Sequence, residues 1–566
     1  MTPGGIAGIA TAIATAAVLM GCIASPPPGM PGVAARQRLD LTPVDLARPP
    51  SYGAAASALA APGSPGIEPR PDPETALPSR LGTDAPEPAA SGPLAISVEQ
   101  AVLLALRHNR ALGVQQLEPS IAETFEDIER AVFDPTLFVE MERGRVRRTE
   151  TDSTSRGPSV VTSNDVTATA GMTQTLPTGT DLELSVSRDG SWGNSGRRQD
   201  EVRGGVTLTQ ALLRGASIEA NLARIHQVEI DTLSSVYELR GFTEALIANV
   251  EFAYWDLVLA QRRIEIFQNG LAVARQRLDE TSRRVQVGQL AETELAATRA
   301  EAALREQDLI DARSTMAKAR LHLLQLMNPS SAEGWERAIV ATEEPHVTSI
   351  PEDTVEDRVA LALDLRPELN QARLDVERDR LEVVRTRNGL LPRLDLFMTL
   401  GKSGYAASFG DARSDIGGPS YDVSAGMRFE IPVGNRQASA LHRGALLSRE
   451  QSLRSLENLA QLVSLDVRTA YLEMLRARDQ IGASTATRAL QEEVLRAEQA
   501  KFNVGSSTAF SVAQAQRDLL QSQIDEVGAI VAYRKALIDL YRLEGSLLKR
   551  RGIEAPGGEK LELSRF

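Results

Sequence analysis

The chain has 566 residues, with 62 Lys and Arg against 75 Asp and Glu, a formal net charge of −13. That balance, with no basic cluster interleaved with aromatics, disfavours a nucleic-acid partner. Beyond the N-terminal apolar run no stretch of 18 or more apolar residues exists, so no helix crosses a bilayer and any crossing must be made by strands.

The N-terminus reads as a signal segment, residues 1–21, with the apolar run IAGIATAIATAAVLMG. Its end, Leu19-Met20-Gly21-Cys22, resembles a bacterial lipobox, in which the cysteine is lipidated. Cys22 is the only cysteine, and MTPGG before the run carries no Lys or Arg. The plainer alternative is an ordinary secretory signal with an incidental cysteine. Residues 22–95 are rich in Pro and Ala, which blocks helices and ladders and predicts an extended tether.

Structure is expected from residue 96. Ser97 with Gln100 three positions on forms a capping box, opening a helix to about Phe133 that Asp134-Pro135 stops. Strands follow, recognised by period two: Leu137, Val139, Met141; Val166, Ala168, Ala170, Met172; Leu182, Leu184, Val186; and Val206, Leu208. A tight turn is expected at Leu176-Pro177-Thr178-Gly179-Thr180. A long helix over about 216–287 carries the seam Ile264, Phe267, Leu271, Ala274, Leu278. At ~1.5 Å per residue it reaches about 108 Å. After Val287-Gly288 a second helix returns over about 290–328.

The pattern then repeats. A helix opens near Thr354 and stops at Leu391-Pro392. Strands follow at Leu394, Leu396, Met398, Leu400 and at Val423, Ala425, Met427, Phe429, Ile431, and helices over about 435–504 and 506–547 flank Val504-Gly505. One offset, 217, carries Gly288 to Gly505 and Tyr254 to Tyr471; another, 257, carries Val102 to Val359, Pro135 to Pro392 and Leu137 to Leu394. The chain is therefore a duplication, 96–352 and 353–550, with a tail over 551–566. The two short helices of a copy, laid end to end, match its long one.

Phe133-Asp134-Pro135-Thr136-Leu137-Phe138, Thr209-Gln210-Ala211-Leu212-Leu213-Arg214-Gly215, Tyr254-Trp255-Asp256-Leu257, Leu391-Pro392-Arg393-Leu394 and Phe502-Asn503-Val504-Gly505 resemble recurrent stretches of the TolC-like outer-membrane efflux proteins. The resemblance spans roughly residues 96–550 and rests on the order of the segments. It implies an α+β membrane protein: a trimeric outer-membrane β-barrel continuous with a long periplasmic α-helical barrel, built from two internal repeats. It implies a homotrimer in outer-membrane lipid, lipid-anchored through Cys22 if the lipobox reading holds. It also implies a periplasmic adaptor (membrane fusion protein) meeting the tips at Val287, Gly288, Val504 and Gly505, and an inner-membrane pump of RND or ABC type. Substrates would pass passively, with no cofactor.

Family members of this type can carry aspartates six and nine residues after the second-copy glycine. Here those positions are Ser511 and Gln514, and an acidic constriction would fall to Glu294, with Glu292 nearby. A solvated helix-face charge is the alternative for Glu294, and simple packing the alternative for Phe502. The usual family count is two strands per copy. The longer strand region of the first copy predicts an extra hairpin, either in the barrel or outside it.

His108, His226, His322, His346 and His442 have no metal-ligand spacing. No phosphate loop or nucleophile elbow is present, so an enzyme is not expected. Two other readings are a lipid-anchored periplasmic coiled-coil scaffold, which gives no reason for the duplication, and a porin without partners, which has no use for helices of ~100 Å.

Overall fold

The computed structural model describes residues 92–150, 159–194, 198–329, 332–346, 353–555 and 557. The signal segment, Cys22 and most of the Pro-rich stretch lie outside the described residues. Within the last residues of that stretch, Leu94–Ile96 forms strand β1, which pairs in parallel with β6 (Ile339–Ala341). Ser97 then caps helix α1 (Val98–His108). Its hydroxyl accepts from the Gln100 amide at 3.2 Å, and the Gln100 side chain accepts from the Ser97 amide at 3.1 Å.

The single helix expected up to Phe133 is three helices: α1, α2 (Arg110–Gln115) and α3 (Glu118–Arg130). Asn109 makes the first break. It takes extended backbone, ends α1, and caps α2 by accepting from the Leu112 amide at 3.0 Å. Pro119 sits in the first turn of α3, where a missing N–H is harmless. The second copy is likewise split, into α7 (Val355–Leu365) and α8 (Pro367–Gly389), because Arg366 precedes a proline and is extended.

Helices α4 (Ile218–Gln286) and α10 (Arg436–Asn503) run unbroken for 69 and 68 residues, about 104 Å at ~1.5 Å per residue. Their return helices are α5 (Glu292–Met327) and α11 (Ala509–Leu543). Helices α3 and α5 lie along α4, while α8 and α11 pack between α4 and α10. Helix α4 thus meets these four short helices, and α10 meets α8, α11 and α7. In the α4 seam Leu271 and Ala274 are buried and Ile264, Phe267 and Leu278 half-buried.

The best-packed level lies where α1, β1, β6 and the last helices meet the middle of α4. Tyr254, Leu257, Leu323 and Leu547 are fully buried there, and the Tyr254 hydroxyl donates to the Ile96 carbonyl at 3.2 Å. Buried ions at this level are paired. Arg551, in the stretch expected as a tail, grips Glu251 at 2.6 and 2.5 Å, and Arg358 donates to Glu544. A little further along α4, Arg240 stands 3.4 Å from Glu244.

Six strands form one antiparallel sheet: β2 (Thr136–Glu150), β3 (Ser159–Leu176), β4 (Thr180–Gly193), β5 (Gln199–Ala211), β7 (Arg393–Ala406) and β8 (Tyr421–Glu430), in that order. The first copy contributes four strands and the second two. The hairpin expected as an extra is continuous with the rest of the sheet. Its turn returns to the helical end, where Asn221 of α4 donates to the Pro177 carbonyl at 2.9 Å. A short helix between β7 and β8, α9 (Phe409–Asp415), lies over the sheet's other end. Gly404 permits this approach, since a Cβ there would stand 2.1 Å from the Ala412 carbonyl oxygen.

Candidate channel wall and helical tips

Alternation gives the sheet two unlike faces. Leu137, Val139 and Met141 on β2, Leu184 and Val186 on β4, Val206 on β5, Leu396, Met398 and Leu400 on β7, and Val423, Met427 and Phe429 on β8 are exposed on one of them. Register joins them into one band: Leu137 stands opposite Met172, which leads through Leu184, Val206 and Leu400 to Val423. The opposite face is polar. There Thr167 donates to Asp189 at 2.9 Å and Arg203 pairs with Asp422 at 2.7 Å. Within the band, exposed apolar residues on five of the six strands, with half-buried Met172 continuing it on β3, suit a lipid-facing wall with a wet interior.

The band is also tilted. Its edge nearest the helices is Leu137 on β2, in register with Val423, but on β8 it lies six residues further on, at Phe429. Six residues at ~3.3 Å make about 20 Å, against about 24 Å for five strand spacings of ~4.8 Å. The band therefore runs about 40° away from the perpendicular to the strands, within the ~35–45° tilt of a membrane barrel. The first-copy hairpin follows the same drift, with its lower edge at Leu182.

At the far end of the helices both hairpin turns have the same geometry. Gly288 (φ +77°) donates to the Val285 carbonyl at 3.0 Å and Gln289 to that of Arg284 at 2.8 Å. Gly505 (φ +76°) donates to Phe502 at 3.1 Å and Ser506 to Lys501 at 2.9 Å. These two bonds after a left-handed residue close a helix C-terminus, and the left-handed φ favours glycine. Nothing lies within 4 Å of where a Cβ would stand at either glycine. Val287 and Val504 are exposed beside them, 68% and 79%.

The other sequence candidates separate into distinct settings. Glu292 is exposed and Glu294 half-buried in the first turn of α5. Ser511 completes the cap of α11, its amide donating to the Thr508 hydroxyl at 3.2 Å. Gln514 bridges Asp518 and Arg517 at 3.0 and 2.8 Å on the surface of α11. Phe502 lines a cleft of about 320 Å³ between the two hairpins, with Arg277, Leu290 and Ala513. None of the other four lines that cleft. Among the described residues no cluster of metal-ligating side chains occurs. Arg143, Arg145 and Arg147 continue the Leu137, Val139, Met141 face of β2 and were not among the expected site residues. Their alternation on the strand's outward face was the available signal.

The family model for outer membrane efflux proteins matches residues 102–329 and 359–546. The chain belongs to the outer membrane efflux protein family. The cobalt-zinc-cadmium resistance protein CzcC of Cupriavidus metallidurans is 23% identical over 331 residues, covering 57% of this chain and 73% of that protein. The outer membrane protein TolC of Vibrio cholerae is 23% identical over 379 residues, covering 64% and 81%. The crystal structure of CusC, described with its transmembrane channel formation, superposes with a TM-score of 0.60 at 16% identity, covering 82% of this chain and 95% of that one. An outer membrane efflux protein is a channel.

Proposed function

We propose that three copies of this outer membrane efflux protein close their sheets into one 18-stranded barrel, continuous with a helical duct across the periplasm. The duct is the passive exit of a tripartite efflux or secretion system. The observation that carries this reading is the tilted apolar band crossing all six strands, with helices of about 104 Å at one end. Strands β2 and β8 each keep one unpaired edge, and an open edge cannot face lipid. Pairing β8 of one copy with β2 of the next removes every edge, and 18 strands leave room for an aqueous channel.

The helices support the same assembly. Helix α3 exposes Ile121, Phe125 and Ile128, the turn after it Val132, and α10 exposes Leu447, Leu465 and Leu472. These outer helices flank the layer, so apolar stripes of neighbouring copies would meet. The tips, with exposed Val287 and Val504, would dock a periplasmic adaptor that links the duct to an inner-membrane pump of RND or ABC type. Glu294 would supply an acidic constriction near the tip, and Cys22 a lipid anchor.

The test is conductance of the purified, detergent-extracted full chain in a planar bilayer. Discrete channels of trimer size are expected, with altered conductance or cation block in Glu294→Ala. Silence from a folded trimer, also with its tips loosened, would overturn the conduit. Loss of lipid labelling in Cys22→Ser is the expected result for the anchor.

A further inference from the structure

We propose that the outward face of β2 binds the phosphate groups of outer-leaflet glycolipid, through Arg143, Arg145 and Arg147. This rests on the six-stranded wall argued above. Measured from the helical edge of the apolar band, Arg145 lies eight residues beyond Leu137, Lys402 eight beyond Leu394, and Tyr421 eight beyond Phe429. Eight residues at ~3.3 Å, inclined by ~40°, rise about 20 Å, close to the ~25 Å of a barrel's apolar band. These side chains therefore stand together at the boundary furthest from the helices, the outer-leaflet side. A tyrosine at that level suits a membrane interface. Arg143 lies just within the boundary and Arg147 just beyond it.

Charge on this face is one-sided. At the distal edge stand Arg143, Arg145, Arg147, Arg188 and Lys402, while the helical edge offers only Gln174, Thr180 and Gln210. The one acid among the described distal outward residues, Asp200, is buried and held by Arg188 at 2.8 Å and Arg198 at 3.0 Å. Nearby on α9, Asp411 accepts from Ser408 at 2.6 Å and Asp415 from the Tyr405 amide at 3.0 Å. Arg143, Arg145 and Arg147 are exposed, and among the described residues they form no ion pair.

Three like charges ~6.6 Å apart along one strand face repel one another unless an anion sits between them. Asn164 and Thr162, opposite Arg145 and Arg147 on β3, add hydrogen-bonding groups at the same level. Guanidinium groups match phosphate oxygens two at a time, which a neutral headgroup cannot offer. In a closed ring the neighbouring copy's Tyr421 and Lys402 would flank the same column.

The experiment uses the purified full-length protein and native mass spectrometry, with bisphosphorylated lipid A, the same lipid with its phosphates removed, and inorganic phosphate as competitor. The wild type should retain the phosphorylated lipid and not the dephosphorylated one. At about fivefold per cation, joint Arg143→Gln, Arg145→Gln and Arg147→Gln should weaken retention about 100-fold. The joint Arg→Lys variant should lose far less, and Arg428→Gln, on the other face of β8, nothing. Equal retention of both lipids, or full retention by the triple Gln variant, would overturn the site, and displacement by inorganic phosphate would reassign it to soluble anions. Bilayer conductance of the same preparations separates the two readings. Channels without phosphate preference remove the lipid site alone, whereas silence removes the wall on which it rests.

Discussion

Glu244 offers a test in which the structure sets both sign and size. Its carboxyl is buried in α4, 2% exposed, and burial pushes its pKa from 4.5 up to about 7. Arg240 on the same helix and Arg542 on α11 oppose the rise, and Glu368 on α8 adds to it. The folded chain therefore keeps a proton that the unfolded chain releases. Between pH 4.5 and about 7 the folded state binds more protons, so stability is lost as pH rises through that window. The move from 4.5 to about 7, at ~1.36 kcal/mol per pH unit, is about 3 kcal/mol per chain.

Glu244→Gln keeps an acceptor for Arg240 and removes the titration. Near pH 4.5 the variant should match the wild type, and above pH 7 it should be more stable by up to about 3 kcal/mol. For 566 residues at ~2.1 cal/mol/K each, that is a rise in Tm of about 3 °C. Tryptophan-fluorescence melts of the detergent-solubilised protein from pH 4.5 to 8.5 read it directly. A gap that does not change with pH, or a variant weaker at pH 8, would mean that pairing with Arg240 outweighs desolvation, and the reasoning would fail.

Removing the partner of a buried carboxylate should act in the opposite sense. Arg551→Met strands Glu251, whose carboxyl burial already drives toward the protonated form, and should cost about 3–5 kcal/mol near neutral pH in thermal melts, with the loss shrinking on acidification. Leu184→Arg, on the apolar face of the first-copy hairpin, should cost about 2–4 kcal/mol in the bilayer and block trimer formation in native gels. Ser185→Arg on the polar face should be tolerated, and tolerance of both would take that hairpin out of the membrane wall. Gly288→Val or Gly505→Val forces a branched side chain into left-handed backbone at about 1–2 kcal/mol or more. Cross-linking of the tip to an adaptor should fall while the melting temperature drops by only about 1–2 °C, because nothing packs on either glycine.

Much of the fold was legible because it is local. Period two marked the strands, the absence of proline marked α4 and α10, and Val-Gly after a helical run marked both turns, each a property of a few consecutive residues. The breaks at Asn109 and Arg366 were missed although their signals were local too: an asparagine able to cap, and a residue before proline. The pairing of β1 with β6 and the capture of Arg551 by Glu251 left no local trace, since each joins segments more than 240 residues apart.

By itself the sequence determined the long helices, the two Val-Gly turns and the alternation of the six sheet strands, because propensity, capping and periodicity act within a turn or two. Only the tertiary structure decided that six strands share one sheet and that their apolar edge drifts by about 40° across it. It also decided that three arginines come level with a lysine and a tyrosine from the other copy. Those relations are set by register between strands distant in the chain, and no residue's immediate neighbours encode them.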